Sequence, residues 1–244
     1  MNEALRRIRE AGEQELTSLN LSYLHLEELP EELAQLRALT RLDLEHNRLT
    51  TLPAWFAKLT SLKTLVLSNN AMEAVPEVLS ELPGLVTLLM NHNVVQHLPI
   101  WLADLPLLTR IGFAKNPLAQ LGTLQTIAPR LQHLEIDNAF FARMVKRLDA
   151  AQLDSLDVFL TEGETLPQEL YAFTQLTQLR LRGQCAPLDP QLGELKRLEK
   201  LAINCELEFL PESLAQLTLL QALDISGNEL SALPEGLTQL GELR

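Results

Sequence analysis

The side chains best suited to chemistry are scattered along this sequence. There are five histidines and no H-x-x-x-H pair among them: His25, His46, His92, His97 and His133. A metal ion needs several donor atoms at about 2 Å, and histidines spread in this way do not predict such a site. Cys185 and Cys205 have no histidine or aspartate at a spacing typical of a nucleophile, and there is no glycine-rich phosphate loop. We therefore expect no catalytic residue, no metal and no cofactor.

Composition narrows the class of protein further. The chain has 244 residues, of which 46% are hydrophobic and 21% charged, so it can bury a sizeable core. A formal net charge of −12 repels polyanions, so we do not expect a nucleic acid partner. Two cysteines are too few for the disulfide framework of a small secreted domain, which favours a reducing compartment.

The sequence contains no recognisable targeting or membrane segment. The N-terminal stretch MNEALRRIREAGEQE is charged throughout and lacks the apolar run of a signal peptide. No segment approaches the roughly 20 apolar residues that span a bilayer. We expect a cytoplasmic protein with no membrane partner, and non-classical export as an effector stays open.

Internal repetition predicts the architecture. The segment LTRLDLEHNRLTTLPAWFAKLTS is followed by LKTLVLSNNAMEAVPEVLSELPG, and both follow L-x-x-L-x-L-x-x-N-x-L-x-x-L-P-x-x-L-x-x-L-x-x. Ten such units open at Leu16, Leu39, Leu62, Leu85, Leu108, Leu131, Leu153, Leu176, Leu198 and Leu220. We expect an N-terminal capping helix over residues 1–15, then a solenoid over residues 16–244 that is cut at the start of an eleventh repeat, at Leu243.

Each unit has two parts. In L-x-x-L-x-L alternate side chains point to opposite faces, so Leu42 and Leu44 face inward and Asp43 faces outward from a short strand. The asparagine that follows, such as Asn70, can bond orphaned backbone groups of the turn. LPxxLxxL has the spacing of a short helical or 3-10 turn, with proline at its first position. Stacked units predict a curved α/β solenoid with a parallel sheet on the concave face and the turns on the convex face.

The 23-residue period and the LPxxLxxL signature resemble the Ras-group leucine-rich repeats of Scribble-like scaffolds, plant intracellular proteins and many bacterial proteins. The resemblance covers about residues 16–242. It implies the solenoid fold and a protein that binds other proteins through its concave strand surface, in some members beside a separate enzymatic domain. It also favours a bacterial, cytoplasmic origin.

Two segments depart from the repeat. Residues 2–15 place Leu5 and Ile8 three apart among charged residues, which predicts a short amphipathic helix over the first repeat. The unit that opens at Leu131 lacks LPxxLxxL, and its apolar residues recur at helical spacing, which predicts a fuller convex helix. These apolar residues are Phe141, Met144, Val145 and Leu148.

The outward positions of the strands form the first candidate binding surface. The eighth position of successive repeats holds Tyr23, His46, Asn69, His92, Lys115 and Asn138. Neighbouring positions hold Arg41, Asp43, Val66, Leu89 and Arg110. Amphipathic rings, charged donors and an apolar centre are typical of a protein-binding patch, whereas later strands offer smaller side chains, with Phe159 and Leu160 as exceptions. We predict that this part of the concave face binds a protein. The alternative is a solvated sheet that only keeps the solenoid soluble.

The second candidate surface lies two residues after each LP. We term it the tryptophan column, and it reads Trp55, Val78, Trp101 and Leu124 in four successive repeats. Stacking would align these side chains into one apolar stripe that binds a partner or a second copy of the chain. An equal alternative is that the tryptophans fold under the next turn and extend the core.

We therefore predict a non-enzymatic protein-interaction module whose partner binds the concave face. Two other functions stay open. One is the recognition domain of a longer ubiquitin ligase or kinase, or of a host-directed bacterial effector. The other is a structural homo-oligomer formed through the tryptophan column or the open C-terminal end. A reading frame that continues past Arg244 into a non-repeat domain would favour the first, and light scattering would detect the second.

Overall fold

The structure is a computed structural model, and it describes residues 2–243 of the chain. The chain forms two compact units, Met1–Ile127 and Ala128–Arg244. Each unit is built from repeats that contribute one parallel strand and one tight turn. No helix within residues 2–243 is long and apolar enough to cross a membrane.

The first unit begins with helix α1, Asn2–Glu13, as the N-terminal sequence predicts. Its buried side chains are Ala4, Ile8 and Ala11, which recur every three or four residues and so lie on one face. Leu5, which the sequence pattern places on the same face, is half-buried. The helix packs against the first strand and the first turn of the unit.

Five parallel strands follow α1 and pair in chain order, as predicted. They are β1 Ser18–Asn20, β2 Arg41–Asp43, β3 Thr64–Val66, β4 Thr87–Leu89 and β5 Arg110–Gly112. Because these repeats have the same length, the register joins equivalent positions of neighbours, for example Leu42 and Leu65. The central residue of each strand is therefore stacked on its counterpart and buried in the core: Leu19, Leu42, Leu65, Leu88 and Ile111.

The Leu-Pro segment after each of the first four strands, which is Val-Pro after the third, leads into a 3-10 helix. These helices span Glu31–Gln35, Ala54–Lys58, Glu77–Glu81 and Ile100–Asp104. The prediction of proline at the first position of the turn is wrong, because Pro30 and its counterparts stand one residue earlier, at the N-cap. There the carbonyl of Pro30 accepts the first bond of the turn, from the N–H of Leu33 at 3.2 Å, and its missing N–H is not needed. The next repeat has Gly122 in place of proline and forms helix α2, Gly122–Ile127.

A ladder of asparagine side chains joins the turns of the first unit, as predicted: Asn47, Asn70, Asn93 and Asn116. Asn93 accepts a bond from the N–H of Met72 at 2.9 Å and donates to the carbonyls of Leu67 and Met90 at 3.0 Å. Each asparagine thus satisfies backbone groups of its own repeat and of the preceding one. These groups would otherwise be buried without partners.

The second unit also has five parallel strands that pair in chain order. They are β6 His133–Asp137, β7 Ser155–Glu164, β8 Gln178–Cys185, β9 Lys200–Asn204 and β10 Ala222–Asp224. The pairing of β7 and β8 loses its regular register after Leu160, which stands opposite Gly183. A Cβ atom on Gly183 would collide with the carbonyl oxygen of Leu160, so this close approach requires glycine.

The segment NAFFARMVKRLDAAQ forms the helix that its apolar spacing predicts. Helix α3 spans Asn138–Met144 and continues as a 3-10 turn, Val145–Arg147. Its side chains that enter the core are Phe141, Met144 and Val145, and Leu148 is buried just beyond. The remaining 3-10 helices of the second unit span Ala128–Arg130, Gln168–Ala172, Pro190–Glu194, Glu212–Gln216 and Glu235–Gln239.

Candidate functional site

Five side chains of the first unit stand at the eighth position of their repeats on left-handed backbone. We term them the left-handed column: Tyr23, His46, Asn69, His92 and Lys115. Their φ values lie between 53° and 58°. Bonds to the next repeat hold this conformation, for example from the N–H of His46 to the carbonyl of Ser68 at 3.1 Å. Left-handed backbone costs a residue with a Cβ atom about 1–2 kcal/mol, although asparagine and histidine adopt it more readily than most.

Glycine occupies the same eighth position in two repeats of the second unit. Gly183 has a φ of 108° and Gly227 a φ of 68°. Glycine adopts such backbone without steric cost. The first unit therefore carries large polar side chains at a position where glycine would be less strained.

Tyr23 and His46 form an aromatic pair at the beginning of the left-handed column. Their ring centroids are 4.2 Å apart and the ring planes differ by 19°, so the rings are stacked. Tyr23 is 64% exposed. The two rings hold each other in one orientation while one of them stays open to solvent, which gives a preformed amphipathic surface.

Polar contacts connect the residues beside this pair. The Oδ1 atom of Asp43 accepts a bond from the N–H of Glu45 at 3.0 Å, and Arg41 lies 4.0 Å from the other oxygen of Asp43. The Oε1 atom of Glu45 accepts from the Nδ2 of Asn69 at 3.2 Å and lies 4.0 Å from the Nε2 of His46. The predicted residues Arg41, Asp43, His46 and Asn69 are therefore brought together by Glu45, which sequence reasoning missed.

The predicted apolar centre is smaller than expected. Val66 stands in register between Asp43 and Leu89 and is only 6% exposed, so the prediction of an accessible side chain is wrong there. Leu89 is half-buried, because Gly112 on its other side has no side chain to cover it. His92 and Lys115 are exposed and Arg110 is half-buried, as expected of this face.

The tryptophan column is interrupted. Trp55, Val78 and Trp101 are half-buried at the start of their 3-10 helices. Leu124 is fully buried, so its predicted place in an accessible stripe is wrong. It lies in α2, where the α-helical geometry turns the equivalent position into the core. Ile100, immediately before Trp101, is 83% exposed and was not singled out from the sequence.

The eighth position of the next repeat does not extend the left-handed column. Asn138 is the first residue of α3 and is buried, contrary to the prediction. Its Nδ2 donates to the carbonyl of Thr165 at 3.1 Å. The asparagine therefore serves the packing of α3 within the second unit.

A recess of about 240 Å³ lies on the outward strand face of the second unit. We term it the second-unit recess. Its charged and titratable lining residues come from neighbouring strands: His133, Glu135, Asp157, Arg180, Lys200 and Asp224. The small side chains of Ala202 and Ala222 also line the recess, beside the long chains of Arg180 and Lys200. The later strands were set aside in the sequence because their side chains are smaller, although small residues between long ones are what make a recess.

Asp157 is the most constrained ionisable group of this recess. Its side chain is 7% exposed, and its Oδ2 accepts from Arg182 at 2.6 Å. Burial raises the pKa of Asp157 to about 6, the nearby charge of Arg182 lowers it, and that of Glu135 raises it again. The Oδ1 atom is buried and has no hydrogen-bond partner. The sequence does indicate this cluster of charges, because the fifth position of three successive repeats holds Glu135, Asp157 and Arg180.

The two cysteines contact each other in the second unit. A side-chain bond with Cys205 lowers the pKa of Cys185, and the same bond raises the pKa of Cys205. Cys205 is 1% exposed, whereas Cys185 is half-buried. Cys205 lies beside the asparagine of the next repeat, because its N–H donates to the Oδ1 of Asn228 at 3.0 Å. The spacing of the two cysteines in the sequence did not predict this contact.

Among residues 2–243, no group of three or more histidine, cysteine or carboxylate side chains is arranged to hold a metal ion. His133 bonds the Oε1 of Glu135 at 2.8 Å, and the two side chains are less than one fifth exposed. The arrangement that both units do offer is a strand face with fixed polar and aromatic side chains.

Comparison with known proteins identifies the repeat. Two models of the leucine-rich repeat match, one over residues 14–72 and one over residues 219–240. No curated protein sequence matches the chain. The repeats in these two segments are thus leucine-rich repeats.

Solved structures agree on the fold. A leucine-rich-repeat protein of Leptospira interrogans is 20% identical with a TM-score of 0.52, and the match covers 94% of this chain and 77% of that one. The functional domain of InlJ from Listeria monocytogenes is 22% identical with a TM-score of 0.55, covering 93% and 47%. A TDR receptor is 23% identical with a TM-score of 0.53, covering 93% and 42%. The chain thus spans less than half of the last two, and the likeness shows the α/β leucine-rich-repeat solenoid fold.

Proposed function

We propose that the chain is a protein-interaction module and that its partner binds the outward strand face of the first unit, the face predicted to be concave. The observation that carries this proposal is the left-handed column. Backbone strain is concentrated at functional sites in proteins, because it persists where a particular geometry is used. The proposed contacts are the predicted ones without the buried Val66: Tyr23, Arg41, Asp43, His46, Asn69, Leu89, His92, Arg110 and Lys115.

The side chains of this face are of the types that contribute most to protein interfaces. Tyrosine and arginine are enriched among residues whose truncation costs about 2 kcal/mol or more in binding. Tyr23 is already held by its stack on His46, so little conformational entropy is lost when a partner covers it. The partner surface would be mixed, with carboxylates or carbonyls opposite Arg41 and Arg110 and apolar groups opposite Tyr23 and Leu89.

The class of partner, the repeat subtype and the location of the protein belong to the same proposal. The net charge of −12 supports a protein rather than a nucleic acid as the partner. The period and LPxxLxxL signature support the Ras-group subtype, and with it a cytoplasmic bacterial protein with no cofactor and no catalytic activity of its own. We keep a recognition role within a longer ligase, kinase or effector as the alternative, with residues 1–15 as the cap and residues 16–244 as the solenoid.

Affinity capture from lysate tests the proposal when the intact chain is compared with matched variants. Replacing Tyr23, His46 and His92 by alanine should abolish capture of a partner that the parent chain retains reproducibly. Replacing Trp55 and Trp101 by alanine is the control, because these side chains lie in the turns rather than on the strand face. A strand-face variant that stays folded and still captures the partner would place the site elsewhere.

A second candidate is self-association through the tryptophan column. The observation that favours it is Ile100, an isoleucine that is 83% exposed beside the half-buried Trp101. Multi-angle light scattering of the purified chain would detect a dimer. An Ile100→Asp variant that returns the mass to that of a monomer would assign the dimer to this column.

A further inference from the structure

Two carboxylates stand directly opposite each other in the sheet of the second unit. Glu135 on β6 and Asp157 on β7 are in register. Their side chains are 15% and 7% exposed, so water does little to screen one from the other. Like charges opposite each other on neighbouring strands are destabilising. The pair is therefore unfavourable for the isolated fold.

The side chains around this pair leave one oxygen of Asp157 without a donor. His133 bonds the Oε1 of Glu135 at 2.8 Å. Arg182 bonds one oxygen of Asp157 at 2.6 Å, and Arg180 lies 3.8 Å from that same oxygen with 53% of its side chain exposed. Oδ1 of Asp157 remains buried without a hydrogen-bond partner. A buried acceptor without a donor is destabilising, and a charged acceptor more so. An additional donor at this carboxylate would therefore be stabilising.

The equivalent aspartate of the first unit has a different environment. Asp43 also occupies the fifth position of its repeat, but its in-register neighbours are Asn20 and Val66, which carry no charge. Its Oδ1 accepts from the N–H of Glu45 at 3.0 Å. The like-charge arrangement is therefore a property of β6 and β7 and not of the repeat.

The second-unit recess beside the pair has room for a single side chain. The second-unit recess has a volume of about 240 Å³, below the roughly 300–1,000 Å³ of pockets that enclose drug-sized molecules. A metal ion does not fit the donor set, because no metal-holding group of three ligands exists among the described residues. A guanidinium group fits better, since it is planar, weakly hydrated and bonds two carboxylate oxygens at once.

We propose that the Glu135–Asp157 pair binds the guanidinium group of an arginine that a protein partner inserts into the second-unit recess. The source of this arginine rests on the proposed protein-binding function. The cation site itself does not, because a small guanidinium compound can occupy it without any partner. The site is also separate in sequence from the left-handed column of the first unit.

Titration of the intact chain with ethylguanidinium tests the site. The pKa of Asp157 is followed by carbon-detected NMR, and ethylurea serves as an uncharged probe of nearly the same shape. Because a cation binds the ionised carboxylate, about ten times its Kd should lower the apparent pKa of Asp157 by about one unit, a tenfold change. Ethylurea should leave it unchanged. An equal response to both probes, or no response to ethylguanidinium, would overturn the proposal.

Variants and a peptide probe sharpen the test. Asp157→Asn and Glu135→Gln should each weaken ethylguanidinium binding at least tenfold, whereas the matched control Asp43→Asn should leave it unchanged. If Asp157→Asn does not fold, Glu135→Gln and the titration of the parent chain still test the proposed site. Acetyl-Gly-Arg-Gly-amide should bind at least as tightly as ethylguanidinium. Weaker binding of the peptide would exclude a protein side chain as the source.

Loss of this site and loss of the proposed function are distinguishable. Alanine variants of Tyr23, His46 and His92 should lose the captured partner and keep the ethylguanidinium titration unchanged. The opposite result, an unchanged capture and no titration, would leave the protein-binding function standing and remove the arginine site.

Discussion

The side chain of Asn70 bonds the carbonyl of Leu44, which lies 26 positions earlier in the chain, at 3.0 Å. The same Nδ2 atom bonds the carbonyl of Leu67 in its own repeat at 3.0 Å, and the Oδ1 accepts from the N–H of Leu49 at 2.9 Å. With a longer bond from Nδ2 to the carbonyl of Ser68 at 3.3 Å, one asparagine bonds four backbone groups in two repeats. The ladder thus joins each repeat to the preceding one and fixes the spacing between them.

Replacing Asn70 by alanine should therefore lower the free energy of unfolding. The N–H of Leu49 would lose its partner inside the turn, which costs about 1–3 kcal/mol, whereas the carbonyls of Leu44 and Leu67 would keep their bonds from Asn47 and Asn93. Chemical denaturation followed by circular dichroism measures the change. Asn69→Gly is the control, because the neighbouring asparagine has left-handed backbone that glycine tolerates and its side chain bonds only the half-buried Glu45. Equal losses in both variants would contradict the role of the ladder.

Asp157 should make the stability of the chain depend on pH in an unusual direction. Burial raises its folded-state pKa from 3.8 to about 6. The folded state thus binds this proton more tightly than the unfolded state, so the stabilising contribution is complete below 3.8 and is lost as the pH rises through about 6. A shift of about two units corresponds to about 3 kcal/mol.

Urea denaturation of the parent chain and of Asp157→Asn measures this contribution. The variant has no titrating group at the position. The parent should therefore lose about 3 kcal/mol relative to the variant between about pH 4 and pH 7. Parallel pH profiles for the two proteins would show that the carboxylate is not perturbed by burial.

Much of the fold was predictable from the sequence, because it depends on residues that recur. The 23-residue period places each strand, and the asparagine after it makes the bonds expected of a ladder. Helix α3 was likewise predictable from Phe141 and Met144, since helical spacing is a local property. What was predicted wrongly depends on neighbours in other repeats. Val66 is buried because of the residues in register with it, and Leu124 because its repeat lacks a proline and forms an α-helix.

The candidate sites were predictable to different extents. Counting positions along the repeats identifies the residues of the left-handed column. Their left-handed backbone conformation could not be predicted from the residue types. Glu135 and Asp157 become a pair only when two strands are set in register, and reading one repeat at a time hides this. Cys185 and Cys205 were missed for a related reason, because the repeats opening at Leu176 and Leu198 are each one residue short and simple counting loses their alignment.

The cysteine pair should react with alkylating agents one at a time. Cys185 is half-buried, and its bond with Cys205 lowers the pKa of Cys185 and thereby favours the reactive thiolate. Cys205 is buried and its pKa is raised. Iodoacetamide at neutral pH should thus modify Cys185 in the native chain, and Cys205 only after unfolding in urea. Mass spectrometry of tryptic peptides locates the label, and first modification at Cys205 would contradict the arrangement.

In the left-handed column, glycine variants should be more stable than alanine variants, which is the reverse of the order at ordinary positions. Glycine normally destabilises a regular element relative to alanine by about 0.5–1 kcal/mol. At Tyr23, His46 and His92 the φ values lie near +55°, where alanine retains the steric penalty and glycine does not. Each glycine variant should therefore be more stable than the matching alanine variant by about 1 kcal/mol.

Thermal unfolding of the six single variants measures this order, and partner capture measures function in the same set. Both substitutions remove the side chain, so both should weaken capture, although the glycine variant should be the more stable of each pair. Thr64 in the middle of the same face is the control position, because it lies in β3 and should show the ordinary order of alanine above glycine. If the glycine variants instead bind as well as the parent, the left-handed backbone is a requirement of the turn alone, and the side chains on it are not the binding surface.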